Sequence, residues 1–159
     1  KLALDNSYEW LSWKHAIKKV YNQFGSDYIF LSLPATSPLR KISDVEIGIK
    51  KFKKSKSDIL VSSTKTKNHP AFNMIEKKNK FYDLYDLTKN YHRSQNTPAI
   101  YNIIASFYIT TPNYILKSKR MLQGKIDTVI VNSISGIDID EDYDLRIARF
   151  FSKKQNIKT

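Results

Sequence analysis

Asp27-Tyr28-Ile29-Phe30-Leu31-Ser32-Leu33 is apolar at nearly every position, and Pro34 ends it. Such a run suits a strand covered on both faces, as in a parallel sheet. After a loop, the segment 43–54 carries Val45, Ile49 and Phe52 on one helical face. Ser43 is its N-cap candidate, and Asp44 and Glu46 suit the positive helix end. Asp58-Ile59-Leu60-Val61-Ser62-Ser63 then reads as the next strand. Strand, helix and strand within about forty residues make a βαβ unit, and the spacing predicts an α/β fold with a mostly parallel sheet.

Outward from this unit, 8–21 reads as an amphipathic helix. Leu11, Ala16, Ile17 and Val20 supply its stripe, Trp10 and Trp13 lie beside it, and Gly25 stops it. Downstream, 72–75 and 80–82 form a hairpin around Lys77-Lys78-Asn79, and 83–97 is a polar excursion without a clean period. Ser106-Phe107-Tyr108-Ile109-Thr110 reads as a strand, 112–117 as a short helix and 128–131 as a strand. A last helix over 140–154 turns Leu145, Ile147, Ala148 and Phe151 inward. There is no internal repeat, and the expectation is one α/β domain over residues 1–159.

Composition narrows the classes. The 159 residues include no cysteine, which excludes a disulfide scaffold, a thiolate nucleophile and Cys-ligated metal sites. No apolar run approaches the roughly 18–20 residues that cross a bilayer, and the start lacks a signal-peptide pattern, so a soluble, cytoplasmic protein is expected. The net charge of +12 invites a nucleic-acid reading. However, 22 of the 27 basic residues are lysine, and 19 Ile and 11 Asn accompany them. That is compositional drift more than a base-reading surface, which leans on arginine. The densest stretch, 50–56, reads as the polar end of a helix. A basic nucleic-acid-binding module without catalysis is therefore the alternative, and no membrane partner is expected.

Two segments carry candidate chemistry. Thr36-Ser37-Pro38-Leu39-Arg40 lies past the carboxyl end of the first strand, where open α/β sheets bind ligands. Its hydroxyls, N–H groups and guanidinium suit an anion, or else an ordinary Ser-Pro turn. In Gly136-Ile137-Asp138-Ile139-Asp140-Glu141-Asp142-Tyr143-Asp144, alternation sends Asp138 and Asp140 to one side and Ile137 and Ile139 toward the core. Paired carboxylates suit magnesium with bound phosphates. The plain alternative makes Asp140 the cap of the following helix, which leaves Asp138 unexplained. His69 before Pro70 reads as a loop histidine, and Arg93 and Gln95 sit in a polar loop.

Taken in order, these segments resemble the acylneuraminate cytidylyltransferases. The resemblance rests on Leu2-Ala3-Leu4-Asp5 with His15-Ala16-Ile17, on Leu33-Pro34-Ala35-Thr36-Ser37-Pro38-Leu39-Arg40, and on His69-Pro70-Ala71-Phe72-Asn73-Met74. Arg93, Gln95, Pro98 and Tyr101 follow, then Ile137-Asp138-Ile139-Asp140 with Asp144. It implies a Rossmann-like three-layer sandwich of the nucleotide-diphospho-sugar transferase type. It also implies a homodimer, with 83–97 part of a segment reaching the partner. The implied reaction joins a nine-carbon (sialic-like) sugar acid to CTP with Mg2+, giving the CMP-sugar and pyrophosphate. Asp138 and Asp140 would hold the metal and serve catalysis. Thr36, Ser37 and Arg40 would shape the sugar side, and Arg93 and Gln95 would reach the sugar acid. Pro34 and Ile104-Ala105 depart from the sialate enzymes, and Phe72 looks closer to the legionaminate-type branch. The family's opening strand and Gly-rich phosphate loop have no counterpart among only 4 glycines. The chain thus reads as the N-terminally truncated back two-thirds of such an enzyme, inactive alone.

Overall fold

The computed structural model describes residues 8–66, 68–85 and 97–155. The chain divides into two compact units, one of Lys1–Ser63 with Ile103–Thr159 and one of Thr64–Asn102. The elements in order are α1 (Glu9–Phe24), β1 (Phe30–Ser32), α2 (Ile42–Lys54), β2 (Ile59–Lys65), β3 (Ile75–Lys78), β4 (Phe81–Leu84), β5 (Tyr101–Thr110), α3 (Pro112–Lys117), β6 (Ile126–Ile130) and α4 (Asp142–Gln155).

The first unit is built on a four-stranded sheet in the order β1-β5-β2-β6. β1 runs antiparallel to β5, with Phe30 opposite Thr110, and β2 runs parallel to β6, with Ile59 opposite Ile126. Thr110 bonds the Asp58 carbonyl at 2.7 Å while Ser62 bonds that of Ile104 at 2.9 Å, so β2 and β5 also run in opposite directions. The sheet is therefore mixed and not mostly parallel. β1 and β2 do share a direction, as a crossover through α2 requires, but β5 occupies the place between them. Apolar residues on both faces of a strand record that both faces are covered, not which way its neighbour runs, so the apolar runs carried no information on this point.

Each face of the sheet has its own core. On one, Trp10, Trp13 and Ile17 of α1 pack with Ile59, Val61, Ile115 and Met121. On the other, Phe52 of α2 packs with Leu60, Phe107, Ile109, Val129 and Val131, joined by Val45 and Ile49 as expected. In α1 the aromatic side wins: Trp10 and Trp13 are buried, whereas Leu11 is 51% exposed and Ala16 lies on the surface. Two indoles remove more area from water than the Leu11 and Ala16 side chains do, and that sets the helix rotation.

Alternation in β5 breaks. Ile104, Phe107 and Ile109 all join the same cluster, although Ile104 and Phe107 are an odd number of residues apart. One extra residue must be accommodated at 105–106, the signature of a bulge. The Ser62 hydroxyl fills the gap, accepting from the Phe107 N–H at 3.0 Å and bonding the Ile104 carbonyl.

α2 begins at Ile42 with Lys41 at the N-cap position and no side-chain cap, so Ser43 lies inside the helix and does not cap it. Of the basic run 50–56, Lys51 bonds Asp127 and the Thr128 carbonyl, both at 2.7 Å, and Lys53 and Lys54 close the last turn, where cations are favoured. Gly48 is the point of closest approach to the sheet. A Cβ there would stand 2.8 Å from Phe107 Cε2 and 3.0 Å from Ile109 Cδ1. Gly48→Ala gains about 1 kcal/mol of helix propensity but overpacks a buried ring by about 1–3 kcal/mol. The expected net result is a loss of about 1 kcal/mol in urea unfolding. A stabilised variant would show that the sheet yields.

The second unit holds the hairpin of β3 and β4, shifted from the expected bounds. Lys78 pairs with Phe81, leaving Asn79-Lys80 as a two-residue turn, with Asn79 at φ 58°. Asparagine tolerates that left-handed conformation better than most residues. Asp83 and Leu84 close β4, and 86–96 lie outside the described residues.

Candidate functional site

The loop after β1 folds back on itself through Arg40. Its Nη2 donates to the Pro34 carbonyl and, at 3.0 Å, to that of Ser37. Its Nε is buried without a partner, and burial lowers the guanidinium's pKa. Ser37 is fully buried, its hydroxyl also unpartnered, while Thr36 is exposed.

A backbone bond joins this loop to the acidic segment: Ile139 N–H donates to the Thr36 carbonyl at 2.9 Å. The sequence's two best candidate segments, about 100 residues apart, thus lie side by side. Asp138 is half-buried, and its Oδ1 is buried with no hydrogen-bond partner; Asp140 is exposed. Buried carboxylate oxygens without partners are rare and call for an explanation, such as a cation or a donor from a ligand. Ile137 and Ile139 are half-buried and belong to neither core cluster. Ile139 instead lines a cavity of about 210 Å³ with Leu39, Leu145 and Ala148.

Asp140 does not cap the last helix, which starts at Asp142, later than expected. Asp144 reaches back instead, its Oδ2 accepting from the N–H groups of Asp140 (3.2 Å) and Glu141 (3.0 Å). This is the returning half of a capping box. Inward-facing Ala148 is buried, but Ile147 is 37% exposed. Asp144→Ala is expected to lose about 1 kcal/mol in thermal or urea unfolding and Asp140→Ala less than half of that. Equal losses would restore the cap to Asp140.

Four further residues that the sequence did not flag stand out. Tyr108, half-buried and packed on Trp13 with ring centroids 5.6 Å apart, has its phenol pKa raised by burial and then by the charges of Glu9 and Asp138. Glu9 accepts from Trp13 Nε1 at 3.1 Å and from the Ser32 hydroxyl at 3.4 Å. Ser106 and Ser135 are each 1% exposed with unpartnered hydroxyls.

Among the described residues, no three His, Asp or Glu side chains gather as metal ligands. Magnesium, however, is often held by one or two carboxylates plus water and phosphate oxygens. The orphaned Asp138 oxygen fits that mode. His69 lies in the second unit, where its Nδ1 accepts from the Ala71 N–H at 3.1 Å in a tight turn. Arg93 and Gln95 lie outside the described residues. No described helix is long and apolar enough to cross a membrane.

No family model matches the chain. It is 24% identical over 128 residues to post-translational flagellin modification protein B of Campylobacter coli, covering 80% of this chain and 54% of that protein. It is also 24% identical over 98 residues to a CMP-N,N'-diacetyllegionaminic acid synthase of Campylobacter jejuni, covering 62% of this chain and 41% of that protein. The chain thus spans about half the length of the curated relatives it matches. These distant likenesses point toward a nonulosonic-acid cytidylyltransferase-like family.

Proposed function

We propose that this chain carries the sugar-acid and metal side of a CTP-dependent cytidylyltransferase for a nonulosonic acid, on a Rossmann-like fold that works as a homodimer. The observation that carries the reading is the Ile139–Thr36 backbone bond, which sets Asp138, with its unpartnered Oδ1, beside the Thr36–Arg40 loop. The name of the Campylobacter jejuni relative favours a legionaminic-type acid as substrate.

In this reading Asp138 and Asp140 hold Mg2+, which when bound neutralises phosphate charge. The anomeric hydroxyl of the sugar attacks the α-phosphate of CTP and pyrophosphate leaves. Thr36, Ser37 and Arg40 shape the sugar side, with Ser37 offering a buried hydroxyl and Arg40 holding the loop's carbonyls. Arg93 and Gln95 reach the sugar acid.

The test is saturation-transfer NMR of N,N'-diacetyllegionaminic acid with the chain, in the presence of CTP and Mg2+. Transfer to the sugar, weakened by Ser37→Ala, is expected. Absence of transfer, together with a salt-dependent shift of a generic DNA duplex, would favour the nucleic-acid-binding alternative. Binding without pyrophosphate release, even once the rest of the relatives' length is supplied, would identify a relative that keeps the site but not the chemistry.

A further inference from the structure

Among the described residues, β6 is hydrogen-bonded along one side only, to β2. The Lys125 carbonyl and the Val131 N–H both bond β2, so by alternation residues 126, 128 and 130 turn their backbone groups to the open side. The stretch Ile126-Asp127-Thr128-Val129-Ile130-Val131 is β-branched at every position but one, and Asp127 is its only charge. Ile126 and Ile130, on either side of Thr128, are 47% and 56% exposed. An open edge of that composition is a template for pairing with another chain.

Both outward backbone groups of Thr128, the middle residue of the strand, are already taken. Its N–H donates to Asp127 Oδ1 at 2.8 Å, and its carbonyl accepts from Lys51 Nζ at 2.7 Å. The two capping side chains are themselves an ion pair at 2.7 Å. Their side chains are 44% and 29% exposed, and a pair so open to water contributes little to stability. It sits instead on the two groups that an incoming strand would need.

We infer that Lys51 and Asp127 form a plug on the β6 edge, an autoinhibitory contact that stops a second copy of this chain from adding its own β6 there. The strand kept out is the chain's own, because every copy carries the same edge. Two β6 strands related by a twofold axis would pair antiparallel, each offering the outward groups of residues 126, 128 and 130. The net charge of +12 opposes such pairing at low salt. At about 0.15 M salt the screening length is about 8 Å, and that repulsion fades. A contact at 2.7 Å is screened far less, so the plug is what then holds the edge shut. The inference does not rest on the catalytic reading, since none of the proposed site residues takes part.

The test compares two variants with the parent chain by sedimentation and amide hydrogen exchange at about 0.15 M salt. Lys51→Met removes the ammonium and keeps an unbranched stem. Lys50→Met removes the same charge from an exposed position of α2 and leaves the plug in place. Lys51→Met should form species heavier than those of the parent at equal concentration, with exchange at 126–130 slowed about tenfold or more in them. Its unfolding midpoint should stay at the parent's value, which separates edge pairing from clumping of unfolded chains. Lys50→Met should sediment as the parent does. The inference is overturned if Lys51→Met sediments as the parent at every concentration, or if Lys50→Met associates equally. Protection that falls elsewhere than 126–130 overturns it too, as does a lowered midpoint for Lys51→Met, which would make the pair a structural one.

Discussion

Asp138→Asn is expected to remove Mg2+-dependent cytidylyl transfer while leaving the fold as stable as before, or more so. The substitution keeps shape and changes charge. Asp138 is half-buried, and its Oδ1 is buried with no hydrogen-bond partner. A buried polar oxygen without a partner costs stability, and an amide of the same shape leaves that cost about as it was or lowers it. If the carboxylate is kept for a cation, the same change lowers transfer by about 10²–10³-fold, as losing about 3–4 kcal/mol of transition-state stabilisation implies. Two measurements are needed. Pyrophosphate release reads the chemistry once the rest of the relatives' length is supplied. Paramagnetic broadening by Mn2+ in the presence of CTP reads the ion in this chain directly, and should vanish near Ile137 and Ile139 in the variant. Retained broadening and transfer would end the metal assignment. A drop of more than about 1 kcal/mol in stability would give Asp138 a structural duty instead.

That residue illustrates how far the sequence could be read. The pairing of two aspartates around Ile139, with Asp138 ahead of any helix, was visible from alternation alone. What alternation could not show was the Ile139 N–H bond to the Thr36 carbonyl, a contact between segments far apart in the chain. The capping assignment failed for a related reason. Asp140, Glu141, Asp142 and Asp144 are all plausible near a positive helix end, and only the returning side chain of Asp144 distinguishes them. The helix 112–117 was legible because Pro112 is a start signal, and the structure adds the cap, Thr111 Oγ1 accepting from Tyr114 N–H at 3.3 Å. The order of the sheet was not legible. Insertion of β5 between β1 and β2 depends on which long-range pairing wins, and the apolar runs of these strands fit several arrangements.

Trp10→Ala is the substitution expected to cost most in stability. The indole is fully buried at the start of α1, tilted against Trp13 with centroids 5.5 Å apart and edge-on to Tyr114 at 5.8 Å. Removing it deletes the largest fully buried side chain and opens a cavity among rigid rings, a change worth about 3–5 kcal/mol. Against a total of about 5–15 kcal/mol for a domain, that is a large share. The hydrogen bond contributes less. Trp10 Nε1 donates to the Ser118 carbonyl at 3.3 Å, but Lys14 Nζ reaches the same oxygen at 2.6 Å, so that acceptor keeps a partner when the indole goes. Trp10→Phe should accordingly cost less than half as much as Trp10→Ala. Urea unfolding would show a lower midpoint at unchanged slope for both variants. A loss below about 1.5 kcal/mol for the alanine variant would mean that α1 collapses into the gap, and would contradict the rigidity assumed here. The consequence for the site follows from the neighbouring residue. Glu9 is held by Trp13 and Ser32 and places its charge near the Tyr108 phenol, on which the Asp138 charge also acts. Loosening the first turn of α1 should therefore release Glu9, reduce the upward shift of the Tyr108 pKa and be visible as earlier phenol ionisation in an alkaline titration of the still-folded Trp10→Phe variant.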